Sequence, residues 1–301
     1  MRDQAEKLRQ LVRDEEESRA SSTRRSTRIV AITSGKGGVG KTNLAVNIGI
    51  ALIELGARVA LMDADLGLAN VDVLLGLMPD HTLKDALTGS VSMLDIICPG
   101  PGDLQVIPGG SGVQELADLS EEKLDGFISS LQEIEALFDY ILIDTGAGIS
   151  RTVTSFLYAA DQVLLVTTPE PTSITDAYAM IKTMLQHIPE IKLSLIINRA
   201  ANLGDAQETH RKLEKAVQSF LGSELTLMGW IVDDPVVPRS VRAHKPLLLF
   251  APDSAVSRHI RLLARNLHQN SFTLDGVEAD QSSEAGVTGF FARLRSIFGH
   301  K

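Results

Sequence analysis

Ser34-Gly35-Lys36-Gly37-Gly38-Val39-Gly40-Lys41-Thr42 decides the fold of this chain. The stretch follows a β-branched run (Ile29, Val30, Ile32, Thr33) and precedes an apolar helical pattern from Thr42 to Leu55. From Gly35 onward it fits G-x-x-x-x-G-K-[ST], a phosphate-binding loop between a strand and a helix. Its glycines, Gly35, Gly37, Gly38 and Gly40, let the backbone curl around Val39 so that successive N–H groups point at phosphate oxygens. Lys41 supplies a point charge to the β/γ-phosphates and Thr42 a hydroxyl to Mg²⁺. One residue exceeds this division of labour: Lys36 is a second cation that a single bound nucleotide does not need.

Outward from the loop, strand-like and helix-like patterns alternate to about residue 269. Apolar β-rich runs fall at 29–33, 58–62, 104–107, 140–143, 162–167, 193–197 and 227–232. Helical patterns fall at 42–55, 121–137, 149–159, 173–187, 206–221 and 255–267. Continuous rather than alternating apolar runs mark strands buried on both faces. The expected fold is therefore α/β: one doubly wound, mostly parallel sheet with helices on both faces.

Ligands of such sheets sit at the carboxyl ends of the strands, which singles out the residues just after each run. Asp63 and Asp65 follow the second run, the right chemistry to hold hydrated Mg²⁺ and orient an attacking water. Asp144 ends the run Tyr140-Ile141-Leu142-Ile143 and has the position of a Walker B aspartate, with Thr145-Gly146-Ala147-Gly148 behind it. Alone, each aspartate would read as a turn or helix cap; three in register with a phosphate loop favour the metal reading. Asn198 and Arg199 follow the sixth run, and Val232, Asp233 and Asp234 close the seventh, where they could frame a purine ring. Ser173-Ile174-Thr175-Asp176 reads as the capping start of a helix.

The composition sets bounds. The 301 residues are 44% hydrophobic and 22% charged, ordinary for a globular chain, with a net charge of −9 that disfavours a nucleic-acid coat. A single cysteine, Cys98, precludes an internal disulfide and paired-cysteine metal frames. No apolar run approaches the length of a membrane span and the first 17 residues are densely charged, so a cytoplasmic location is expected. Charge is unevenly spread: residues 270–286 carry four acidic groups, whereas 287–301 carry three basic ones and no acidic one.

The blocks SGKGGVGKTN (34–43), LMDADLGLANVDVLLGL (61–77), ILIDTGAG (141–148) and PEPTSITDAYAMIK (169–182) resemble the MinD/ParA family of deviant Walker A ATPases. The last block points to its branch of flagellar-number regulators. The resemblance spans Arg28 to about His268. It implies ATP as cofactor with Mg²⁺, slow hydrolysis, and a homodimer closed around two nucleotides. Lys36 would act in trans on the partner's phosphates, as an arginine finger does, and such groups are worth about 10³ to 10⁵ in rate. Catalysis is thus expected from Lys36, Lys41 and Asp65, metal binding from Thr42, Asp63 and Asp144, and an adenine contact from Asn198. Relatives of the cell-division branch have proline where this chain has Gly146. That cell-division role and a ParA-type DNA-binding or transcription-control role are the rival functions.

Two appendages flank the ATPase domain (28–269). Residues 1–17, joined by a linker (18–27), contain Asp3-Gln4-Ala5-Glu6-Lys7-Leu8-Arg9, which resembles the D-Q-A-x-x-L-R helix that stimulates the flagellar placement GTPase, FlhF. Gln4, Ala5, Leu8 and Arg9 would contact that partner, and flagellar transcription regulators or switch-complex components are further possible partners. Read alone, so short a helix is unstable in water and folds on a partner or stays a disordered tail. After an acidic linker (270–286), residues 287–301 place Phe290, Phe291, Leu294, Ile297 and Phe298 on one helical arc flanked by Arg293 and Arg295. That helix fits an anionic membrane surface, with docking on its own domain as the alternative. The protein would then sit peripherally on the inner membrane face in its ATP state.

Overall fold

The computed structural model describes residues 27–65, 70–87, 89–110, 134, 137–269 and 286–298. The N-terminal segment through residue 26, most of the expected helix at 121–137, and nearly all of the acidic linker lie outside these residues.

An eight-stranded sheet in the order β3-β4-β2-β5-β1-β6-β7-β8 forms the frame. Its strands are β1 (Arg28–Ser34), β2 (Val59–Ala64), β3 (Cys98–Pro99), β4 (Gln105–Ile107), β5 (Tyr140–Ala147), β6 (Gln162–Thr167), β7 (Leu193–Ala200) and β8 (Thr226–Val232). All pairings are parallel except that of β3 with β4. Strands β2 to β5 lie on one side of β1 and β6 to β8 on the other. The carboxyl end of β1 is therefore the switch point of the sheet, where a doubly wound fold opens its ligand crevice.

Both faces are covered, as continuous apolar strands require. Val30 and Ile32 turn to one face, where α1 (Lys41–Glu54) and α9 (Ala255–Gln269) pack. Ile29 and Ala31 turn to the other, beneath α4 (Arg151–Ala159), α5 (Pro171–His187) and α6 (Leu203–Leu221). Alternate residues of a strand point to opposite faces, so a run buried throughout needs both layers. The short helices α2 (Val71–Leu75), α3 (Leu83–Leu87), α7 (Val236–Arg242) and α8 (Leu247–Phe250) were not visible as patterns, nor was the two-residue β3. Helix α5 begins at Pro171, with Glu170 at its N-cap. Ser173, expected to start that helix, is instead buried inside its first turn, where its hydroxyl accepts from the Thr168 N–H at 3.1 Å and bonds the Thr167 hydroxyl at 2.9 Å.

The last helix, α10 (Val287–Phe298), lies on the α4 face. Phe290 and Leu294 are buried at 1% and 0% exposure, and the Phe290 ring stacks on Phe156 with centroids 6.2 Å apart. Arg293 donates to the Ala159 carbonyl at 2.8 Å and to Asp161 at 2.7 Å. Ile297 packs against the neighbouring cluster. In the conformation described the helix is docked on its own domain, the alternative to the lipid-facing one: Phe290 and Leu294 meet protein, and Arg293 is paired. The physical reason is local. Helix α4 presents an aromatic ring and a free carbonyl at its end, and Asp161 beside it supplies the opposite charge. The side chains of Phe291 and Phe298 lie outside the described residues.

Candidate functional site

The phosphate loop bridges β1 and α1 at the switch point. Gly40 is the N-cap of α1 at φ 89°, with no side-chain cap and no acidic residue in the first helical turn. The helix therefore presents uncapped N–H groups and the positive end of its dipole, a ready anion site. A β-carbon on Gly37 or Gly38 would meet nothing within 4 Å, so the mouth of the loop is open. The start of the loop is not: a β-carbon on Gly35 would collide with the main chain of Asp176. The loop is thereby seated on the first turns of α5.

Beneath it, Lys41 Nζ donates to Asp144 Oδ1 at 2.8 Å, with the side chains 7% and 0% exposed. Burial pushes the Asp144 carboxyl up, while the Lys41 charge and the Thr42 hydroxyl pull it down. Its second oxygen, Oδ2, is buried with no partner. An orphaned carboxylate oxygen beside a hydroxyl and an ammonium, under an open loop, suits a hard cation carrying phosphate. Thr42 and Asp144 thus stand together as the metal reading needs.

Asp63 is the parallel-strand neighbour of Asp144, and its carboxylate is engaged by backbone N–H groups. Oδ1 accepts from the Asp65 N–H at 3.0 Å, and Oδ2 from the N–H groups of Asn70 and Val71 at 3.0 and 3.1 Å. Burial nonetheless raises its pKa to about 6. In this conformation it anchors the start of α2 through these three bonds. Asp65 is half-buried, accepts from Asn70 Nδ2 at 3.0 Å, and lies 3.4 Å from where a β-carbon on Gly146 would be. The end of β5 and the residue after β2 therefore touch, and Gly146 leaves Asp65 the room to do so. Gly148 is tied back to β1, its N–H donating to the Ser34 carbonyl at 2.9 Å.

Lys36 has other partners than Lys41. Its ammonium donates to Glu170 Oε2 at 2.7 Å and to the Thr172 hydroxyl at 2.8 Å, at the head of α5. The Lys36 charge holds the Glu170 carboxyl below the usual carboxylate range. Neither partner was singled out from the sequence. Both lie in the Pro169-Glu170-Pro171-Thr172 segment, whose paired prolines around an acid were the available signal.

The expected adenine residues divide. Arg199 has a left-handed backbone (φ 57°) and its guanidinium lies 3.4 Å from Asp233. Val232 ends β8 half-buried, and Asp234 accepts from the Val236 N–H at 2.8 Å just ahead of α7. Asn198 turns inward: Nδ2 donates to the Val39 carbonyl at 2.7 Å and Oδ1 accepts from the Arg199 N–H at 3.0 Å. Gln4, Ala5, Leu8 and Arg9 lie outside the described residues.

Comparison with known proteins places this geometry. A family model described as an AAA domain matches residues 27–197. The antiactivator FleN of Pseudomonas aeruginosa is 41% identical over 239 residues, 79% of this chain and 85% of that protein. The flagellum site-determining protein YlxH of Helicobacter pylori is 37% identical over 301 residues, 99% of this chain and all of that protein. Among solved structures, the septum site-determining protein MinD of Pyrococcus horikoshii, complexed with Mg-ADP, superposes with a TM-score of 0.64 at 25% identity, covering 81% of this chain and 97% of that one.

Proposed function

This chain belongs to the MinD/ParA family of P-loop ATPases, and we propose that it is an ATP-dependent dimerising switch of the flagellar-number-regulator (FleN, or FlhG) kind. The observation that carries the nucleotide part is the buried Lys41–Asp144 pair with its orphaned Oδ2 under an open loop. The loop N–H groups and Lys41 would hold the phosphates, and Thr42 and Asp144 the magnesium. When bound, magnesium neutralises phosphate charge and orients the terminal phosphoryl group. Asp65, beside Gly146, would position the attacking water once the segments that carry these two residues rearrange.

Lys36 bears on dimerisation. Parked on Glu170 and Thr172, it contributes nothing to its own Lys41 site, as a residue that works in trans would. Closing the dimer must exchange the Glu170 contact for the partner's phosphates. Hydrolysis should therefore rise more steeply than linearly with protein concentration. Sedimentation velocity with ATP and Mg²⁺, alongside turnover at several protein concentrations, tests this. A strictly monomeric profile with linear turnover would overturn it.

The flagellar and membrane parts rest on the relatives and on α10. With Phe290 and Leu294 sheathed, the conformation described would be the cytosolic one of the cycle, and membrane residence would require α10 to leave its groove. Stimulation of an FlhF-like GTPase is assigned to residues 1–17. A peptide of residues 1–20 added to that GTPase should raise GTP turnover, and no increase would remove this part of the reading.

A further inference from the structure

Asn198, at the carboxyl end of β7, is 8% exposed, and both ends of its amide are engaged. One neighbour is a carbonyl, that of Val39 at 2.7 Å, and the other an N–H, that of Arg199 at 3.0 Å. A carbonyl only accepts and an N–H only donates, so the amide has one orientation that satisfies both. Val39 is itself buried at 3% exposure, and it immediately precedes Gly40, the N-cap of α1. A β-carbon on Gly40 would stand 2.6 Å from Asn198 Nδ2. Loop and amide are therefore fitted to one another from both sides, across 159 residues of sequence.

A phosphate nest works only while successive N–H groups face the anion and the carbonyls face away. A carbonyl turned inward would set a partial negative charge against phosphate. A carbonyl turned outward into a buried place needs a donor there, because an unpaired buried polar group is costly. Asn198 is the donor at Val39. It makes the outward-facing state of that peptide the satisfied one, in the middle of the loop that must hold the anion.

We propose that Asn198 is a positioning residue of the phosphate loop, acting through the Val39 carbonyl, and that its effect on nucleotide affinity is independent of the base. The proposal rests on the nucleotide reading above and assigns to Asn198 a job other than the adenine contact expected of it. The discriminating probe is inorganic tripolyphosphate, which has the phosphates and no base. Titrate the full chain and its Asn198→Ala variant calorimetrically with Mg-ATP and with Mg-tripolyphosphate. Loss of one hydrogen bond that preorganises the loop should weaken both ligands by the same factor, about tenfold.

Weakened ATP binding with unchanged tripolyphosphate binding would overturn the proposal and return Asn198 to reading the base. Unchanged binding of both would also overturn it. If the unsubstituted chain binds neither ligand, the nucleotide reading itself fails, a separate and recognisable failure. Should the alanine variant not fold, as judged by circular dichroism, Asn198→Ser makes the same comparison. Serine keeps a polar atom at the site but is too short to reach Val39, so the same equal losses are expected.

Discussion

At the scale of single residues, the two loop lysines differ in what surrounds them. Lys41 is buried on a buried carboxylate, whereas Lys36 and Glu170 are 36% and 53% exposed. An exposed pair is weakly held and readily exchanged, as the trans role proposed for Lys36 would require. Lys36→Ala should therefore still bind ATP and lose concentration-dependent hydrolysis, and wild-type turnover in that variant would refute its role in trans. Glu170→Gln removes the competing negative charge, so the dimer should form at several-fold lower protein concentration in ATP; sedimentation velocity reads this directly, and an unshifted or weakened dimer would show that the Glu170 charge does not restrain Lys36. Asp63 offers a pH test. Its carboxyl is raised from 3.8 to about 6, so the folded chain holds the proton more tightly than the unfolded one. Its favourable contribution is complete below the ordinary aspartate pKa and is lost as pH rises through the folded value. Asp63→Asn does not titrate. Its stability relative to wild type should thus improve by about 2 kcal/mol between pH near 4 and pH near 6.5, measured by urea unfolding. A pH-independent difference would show that Asp63 stays ionised throughout.

At the scale of elements, α10 is the test case for what periodicity conveys. Its apolar arc was plain in the sequence, but an arc specifies only that one face avoids water. Lipid tails and the Phe156 side of α4 satisfy that condition equally. What selects the groove is tertiary: the aromatic stack, and the Ala159 carbonyl and Asp161 carboxylate that meet Arg293. Phe290→Ala should cost about 3 kcal/mol or more of docking, and trypsin cleavage in this helix should then accelerate on the order of 100-fold. An unchanged cleavage rate would mean that the helix is held by something else. The strands were legible for the complementary reason, since a continuous apolar run has few alternatives to burial between two helix layers. The two-residue β3 and the short helices α7 and α8 are set by what they pack on, and have too few residues to show a period. Capping went astray at Ser173 because Pro171 starts α5 a turn earlier and leaves that hydroxyl to tie β6 to the helix. Within the site, the phosphate loop and its aspartates were legible as residue types. Which atoms Asp63, Lys36 and Asn198 touch was not, because those partners come from other strands and helices.

At the scale of the whole molecule, the nucleotide site and α10 lie on different parts of one sheet, and the proposed function couples them through population. If the helix serves both as a cover for its own domain and as a membrane anchor, the two uses compete for Phe290 and Leu294. The apparent membrane affinity is then the intrinsic one reduced by the fraction of chains whose helix is free. A dimer carrying two such helices gains avidity of about 10²-fold or more, which is how ATP would shift the balance without a new lipid contact. Asp161→Asn isolates the coupling, because it weakens the Arg293 pair and changes nothing on the apolar arc. The asparagine keeps an acceptor for the Ile29 N–H that Asp161 Oδ2 now receives at 2.9 Å, so β1 should stay in place. Sedimentation with anionic vesicles in the absence of ATP should rise about tenfold in this variant, the factor by which a charge-assisted bond closes the docked state. ATP should add less to the variant than to the wild type, since part of the release has already been made. Sedimentation equal to wild type would show that docking of α10 does not limit membrane binding.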